Sequence, residues 1–305
     1  MDVPHDPNPV PPDGPTDPAP STRVVLRRRV RRILIAGLTT AVAVFAVVCV
    51  VVFSLQARLI YFPDRDYWTT PDEVGLAYED LTLTTEDGVS ITAWHVPHDQ
   101  PKGTVLFCHG NAGNIADRVG TLKSFHYLGY NVLIFDYRGY GHSEGKPTET
   151  GTYRDAEAAW RYLTETRGES PAGIVLFGRS LGGAVAIDLA NRITPAALIA
   201  ESTFTSVVDI GKRQFPFLPV GLLCKHRYES IGKVSRIACP KLFLHGTEDE
   251  LVPFENGRRL FEAAAEPKDF IQTPGGHNQG GFEYSREHTD KLQQWLDRTI
   301  RSESS

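Results

Sequence analysis

Cysteine is scarce in this chain. Four occur in 305 residues, and no two stand at C-x-x-C spacing. That excludes the disulfide framework that staples small secreted folds. No His-x-x-x-His or comparable cluster is present either, so neither a metal nor another cofactor is expected. Basic residues are nowhere interleaved with aromatics, and the net charge is −5. A nucleic-acid partner is thereby disfavoured. Charge is also missing from one long stretch: residues 33–55 contain no Asp, Glu, Lys or Arg.

That stretch is rich in Val, Ala, Ile and Leu. At about 20 residues or slightly more it can span a bilayer core of about 30 Å. Arg23, Arg27, Arg28, Arg29, Arg31 and Arg32 precede it, whereas only Arg58 and then Arg65, with Asp64 and Asp66, follow. The positive-inside rule puts the N-terminus in the cytoplasm and everything after Leu55 on the far side. A cleaved signal peptide is the competing reading. The apolar run is longer than an h-region of about 7–15 residues, and the preceding segment is long for an n-region. Residues 1–32 form a Pro-rich tail with a basic cluster, and the tail has too little to bury to be ordered. The remainder, 58–305, carries 26 basic and 33 acidic residues, net −7, and has a normal length for one α/β domain.

Within that domain strands are expected at 79–84 and 89–95, joined by the turn Glu86-Asp87-Gly88. Further strands fall at 104–108, 131–135, 173–177, 197–200, 241–244 and 269–273. Helices fall at 115–128, 153–167 (Thr152 as N-cap, Gly168 as stop), 181–191, 255–265 and 288–301. The alternation predicts an α/β fold with a mostly parallel sheet covered on both faces and an antiparallel hairpin at one edge. Residues 203–238 are too long for a simple crossover and carry Phe204, Phe215, Phe217 and Leu222. They read as a small cap over the site, against the alternative of a crossover helix with an elaborate loop. Cys49 lies in the anchor and Cys108 in a central strand. Cys224 and Cys239 either pair, in an oxidising compartment, or Cys239 is a small apolar residue entering a strand.

The chemistry centres on Gly178-Arg179-Ser180-Leu181-Gly182. An apolar strand precedes it and a helix follows, the context that makes a G-x-S-x-G string a nucleophile elbow. Side chains at Gly178 or Gly182 would collide with the neighbouring strand or helix, and the helix N-terminus aims N–H groups at charge forming beside Ser180. Asp249 and His277 follow in order, each in a loop just past a predicted strand. His109, His142, His245 and His288 are rival bases, but only His277 follows the last strand in a glycine-rich loop. Glu248 and Glu250, which flank Asp249, and Glu201, at the end of the 197–200 strand, are the rival acids.

Together these residues resemble the α/β-hydrolase superfamily, in particular its membrane-anchored serine hydrolases, a group that includes protein depalmitoylases. The matching segments are Leu59-Ile60-Tyr61-Phe62-Pro63, the run 108–114, the run 136–145, the elbow, 245–253 and Gly275-Gly276-His277. The resemblance implies Ser180 as nucleophile, His277 as base and Asp249, third after Gly246, as acid. It also implies an oxyanion hole from the backbone N–H of Leu181 and of Asn111 or Ala112, with Asn111 preferred. The expected activity is hydrolysis of an ester or thioester through an acyl-enzyme, on a small-molecule or lipid-linked acyl substrate. An aminopeptidase or amidase on the same triad, with Glu201 and Asp209 as candidates to hold a peptide N-terminus, is the first alternative. A catalytically dead, membrane-tethered binding or scaffold protein is the second. Since the anchor supplies no triad residue, a chain cut after Ala57 is expected to stay active.

Overall fold

The computed structural model describes Gly14 and residues 22–301. The disorder expected of the Pro-rich tail falls on residues outside that set, the arginine cluster excepted. The chain divides into two units, 1–51 and 52–305. Helix α1 (Thr22–Ile60) begins in the first and ends in the second; it is long and apolar enough to cross a membrane. Its bounds correct the sequence reading at both ends. The arginines of 23–32, assigned to the tail, are helical, because arginine is a good helix former and extending an existing helix is cheap. Nothing after Leu55 breaks the helix before Pro63, so it runs five residues further than expected. The second unit accordingly starts at Val52 rather than Arg58.

The second unit is built on an eight-stranded sheet. In chain order its strands are β1 (Glu79–Thr84), β2 (Ser90–Val96), β3 (Thr104–Cys108), β4 (Asn131–Phe135), β5 (Ile174–Arg179), β6 (Ala197–Glu201), β7 (Lys241–Gly246) and β8 (Lys268–Thr273). The spatial order is β8-β7-β6-β5-β3-β4-β2-β1. β3 to β8 pair in parallel, and β2 runs antiparallel to both β1 and β4. β3, β6 and β7 are buried at every position, as a parallel strand covered on both faces must be. Their side chains alternate between two cores: Leu106 and Cys108 enter one, Val105 and Phe107 the other.

Two helices begin elsewhere than the sequence suggested. The helix expected at 115–128 is a 3-10 turn, Ile115–Arg118, leading into α2 (Val119–Tyr127). Asn114 starts it with a capping box, accepting from Ala116 N–H while Asp117 accepts from Asn114 N–H. α3 (Glu149–Arg161) is capped by Thr148, not Thr152. The true first turn is polar and contains a glycine, so it carried no apolar signal; the Thr152 hydroxyl instead donates back to the Glu149 carbonyl. α4 (Leu181–Ala190) follows β5 directly. Residues 203–238 fold as three short helices, α5 (Val207–Gln214), α6 (Val220–Leu223) and α7 (Ile231–Val234). α8 (Glu255–Ala263) and α9 (Arg286–Arg301) complete the unit. Cys224 and Cys239 form no disulfide among the described residues. In a parallel sheet of this kind ligands bind beyond the carboxyl ends of the strands, where the loops after β3, β5, β7 and β8 converge.

Candidate active site

Ser180 sits in the one-residue turn between β5 and α4, with φ 55° and ψ −119°. A side chain other than glycine is strained there, and such strain persists only where the surroundings fix it. They do so from both sides: Ser180 N–H donates to the Glu201 carbonyl at 2.9 Å, and the Thr203 hydroxyl donates to the Ser180 carbonyl at 2.7 Å. The flanking glycines are required by space. A Cβ on Gly178 would lie 2.3 Å from the Gly182 carbonyl oxygen, and one on Gly182 would lie 1.9 Å from that of Cys108. We therefore expect Gly182→Ala to cost about 3 kcal/mol, the upper range of overpacking, and to lower Tm by roughly 6–12 °C. Gly232→Ala, where the new methyl meets nothing within 4 Å, is the control that should stay close to the parent melting curve.

His277 Nε2 lies 3.0 Å from Ser180 Oγ, and its Nδ1 lies 2.7 Å from Asp249 Oδ2. The other carboxylate oxygen of Asp249 accepts the N–H groups of Leu251 (3.1 Å) and Val252 (2.7 Å), which fixes the carboxylate's orientation. Burial raises the Asp249 pKa, but hydrogen bonds from His245 and His277, with the Val252 N–H, outweigh it and hold the carboxyl at about 2. An ionised Asp249 is acceptor-only, so Nδ1 of His277 carries the ring proton and Nε2 is left to accept from the Ser180 hydroxyl.

The rival residues have other partners. Glu201 is fully buried, pairs with Arg179 and accepts Phe282 N–H at 2.9 Å; Arg179 reaches Glu283 at 2.7 Å as well. This three-membered network locks the residue before Ser180, and sequence reasoning missed it. The only available hint was an arginine inside the G-x-S-x-G string. His109 is buried, donates Nδ1–H to the Gly110 carbonyl at 2.7 Å, and is pushed down by burial to about 3, so it is neutral. His142 stacks on Tyr67 at 4.2 Å between ring centroids. His245 donates to the Val252 carbonyl at 2.8 Å and stands 3.4 Å from Asp249 Oδ2, bracing the acid's loop.

Two cavities meet at Ser180 and His277. One, of about 610 Å³, is mainly apolar; Phe204, Ile210, Phe215 and Leu218 line it. The other, of about 540 Å³, is polar and is lined by Asp117, Arg118, Arg179 and Glu283. Asn111 borders both, and Leu181 borders the apolar one. The loop carrying Asn111 passes close to the elbow, since a Cβ on Gly110 would stand 3.7 Å from Ser180 Cβ. Among the described residues no His, Cys, Asp or Glu group could hold a metal ion.

Comparison with known proteins matches residues 99–219 to the family model described as serine aminopeptidase, S33, a window that contains Ser180 but neither Asp249 nor His277. An uncharacterized membrane protein of Saccharomyces cerevisiae is 35% identical over 263 residues, covering 82% of this chain and 91% of its own. Alpha/beta hydrolase domain-containing protein 17B of Homo sapiens is 33% identical over 249 residues, covering 79% of this chain and 83% of its own. Among solved structures, the esterase Pf2001 of Pyrococcus furiosus aligns with a TM-score of 0.67 at 22% identity, covering 79% of this chain and 98% of that one, a likeness of fold. The strand order, the strained elbow and these relatives agree: the chain is a hydrolase belonging to the α/β-hydrolase superfamily.

Proposed function

We propose that this protein is a membrane-anchored serine hydrolase that cleaves acyl esters or thioesters through an acyl-enzyme. The observation that carries the reading is the continuous hydrogen-bonded line from Ser180 Oγ through His277 to Asp249. His277 Nε2 takes the hydroxyl proton as Ser180 Oγ attacks the substrate carbonyl. The backbone N–H groups of Leu181 and Asn111 receive the oxyanion. His277 then gives its proton to the leaving alcohol or thiol. Water, deprotonated by the same nitrogen, attacks the acyl-enzyme and frees the acid and Ser180. The apolar cavity suits the acyl chain, and the polar one suits the leaving group. Residues 203–238, which line the apolar side, act as a cap. Purified full-length chain should hydrolyse p-nitrophenyl acyl esters and acyl thioesters at least a hundredfold faster than aminoacyl p-nitroanilides; the reverse preference would refute the reading.

A second reading, an aminopeptidase, is favoured by the description of the matching family model. It needs a carboxylate at the site to hold the substrate's amino group. Glu201 is taken by Arg179, and Asp209 accepts from Thr205 and pairs with Arg259. Of the carboxylates lining the polar cavity, Glu283 also pairs with Arg179, and Asp117 accepts from Trp68 and Asn114 N–H. The ester reading requires no such group.

We propose that the hydrolase unit lies outside the cytoplasm. The support is the asymmetry of charge: six arginines just before the apolar stretch, and Arg58 alone close behind it. Protease added to spheroplasts should degrade the hydrolase unit, while full protection would refute this orientation.

A further inference from the structure

Val52, Gln56, Leu59 and Ile60 all line the apolar cavity beside Ser180. Their spacing, i, i+4, i+7 and i+8, is one stripe of a helix. That stripe belongs to the last turns of α1, the helix otherwise read as a plain tether. Gln56 is the one amide within it. It is 7% exposed, and both ends of its side chain are used. Its Oε1 accepts Lys225 N–H at 2.6 Å, and its Nε2 donates to the carbonyls of Phe53 (2.8 Å) and Leu223 (3.3 Å). The Lys225 ammonium also sits 3.7 Å from the centre of the Phe53 ring. The adjoining part of the cavity wall, at Leu223, is thus pinned to α1. On the other flank the Asn111 side chain donates to the Ile60 carbonyl at 2.8 Å, and Phe62 N–H donates to the Asn111 carbonyl at 2.9 Å. The end of the helix is therefore fastened to the loop that passes the elbow.

We propose that residues 52–60 of the anchor helix form the specificity wall for the substrate's acyl chain, with Gln56 as the positioning residue that holds the adjoining wall at Leu223 and Cys224. The proposal rests on the acyl hydrolase reading and adds a role for the anchor that a tether does not have. A chain cut after Ala57, expected to stay active, should then lose its chain-length selectivity, because such a cut removes Val52 and Gln56. Each methylene buried in an apolar wall is worth roughly fourfold in affinity, so losing a few of them moves chain-length selectivity by tenfold or more.

The test uses the full-length chain in detergent. Leu59→Trp, which fills the cavity, should lower the decanoyl-to-acetyl ratio of kcat/KM for p-nitrophenyl esters at least tenfold. Gln56→Leu should lower the same ratio, and so should Gln56→Glu, which keeps an acceptor for Lys225 N–H but lacks the Nε2 donor that holds the Leu223 carbonyl. A residue with only a structural role would shift the melting temperature and leave the ratio alone. Decanoate affinity, measured calorimetrically on the same samples, reads the cavity without turnover and should weaken about tenfold in Leu59→Trp. If the parent chain binds decanoate but hydrolyses no ester, and Leu59→Trp still weakens that binding about tenfold, the wall stands and the acyl hydrolase reading falls. An unchanged selectivity ratio, or unchanged decanoate affinity, in Leu59→Trp would overturn the wall itself.

Discussion

Ser180→Ala is expected to lose about six orders of magnitude in kcat on p-nitrophenyl esters, as removal of a triad nucleophile does elsewhere. The residual rate is expected from binding and from the proposed oxyanion donors, the N–H groups of Leu181 and Asn111, which the substitution leaves in place. The backbone should survive, because the strain at φ 55° is held by the bonds to Glu201 and Thr203 rather than by the hydroxyl. His277→Ala should be about as damaging. The double variant should be no worse than either single one, since removing one member of a unit already disables it. Multiplicative losses would mean that Ser180 and His277 act in separate steps.

Asp249→Asn is expected to cost about 10⁴-fold in kcat while leaving the unit folded. An asparagine can still accept the N–H groups of Leu251 and Val252. Its amide would then face His277 Nδ1, and two donors cannot share that contact; the ring must take the tautomer in which Nε2 carries the proton and cannot accept from Ser180. Glu201→Gln gives the opposite pattern: a loss of stability, from a buried arginine left short of charge, and a smaller loss of rate. A near-parental Asp249→Asn beside an inactive but folded Glu201→Gln would transfer the acid role to Glu201. The Asp249 substitution also carries a pH signature. The folded carboxyl is held at about 2, below its ordinary 3.8. The unfolded chain therefore binds more protons, and the stabilisation is complete above about pH 4 and lost as pH falls towards 2. The Tm difference between the parent and Asp249→Asn should be full at pH 7 and shrink below pH 4.

What was legible in the sequence follows from which signals are local. β3 and β4 were readable to the residue because each is one polar residue followed by four apolar ones, next to a glycine-marked loop. The elbow was readable because its glycines sit within two residues of Ser180. Helix starts were less so. The first turn of α3 is polar, and its cap three residues before Gly151 is one threonine among several. The end of α1 was misread because the chain changes from apolar to mixed composition at Gln56 without a breaker, and composition was taken for a boundary. The bracing of the site was hidden for a different reason. Arg179 meets Glu201 across 22 positions and Glu283 across 104, and Gln56 meets Lys225 across 169. No period or spacing rule reaches that far; only the folded sheet brings those residues together.

The proposed chemistry requires Ser180 to be an activated nucleophile. The most direct measurement is exposure of the purified full-length chain to a fluorophosphonate, followed by proteolysis and mass spectrometry of the adduct. Activation by His277 predicts a single stoichiometric adduct on Ser180, absent from His277→Ala. A chain that takes up no label, or carries it on another residue, would contradict the account.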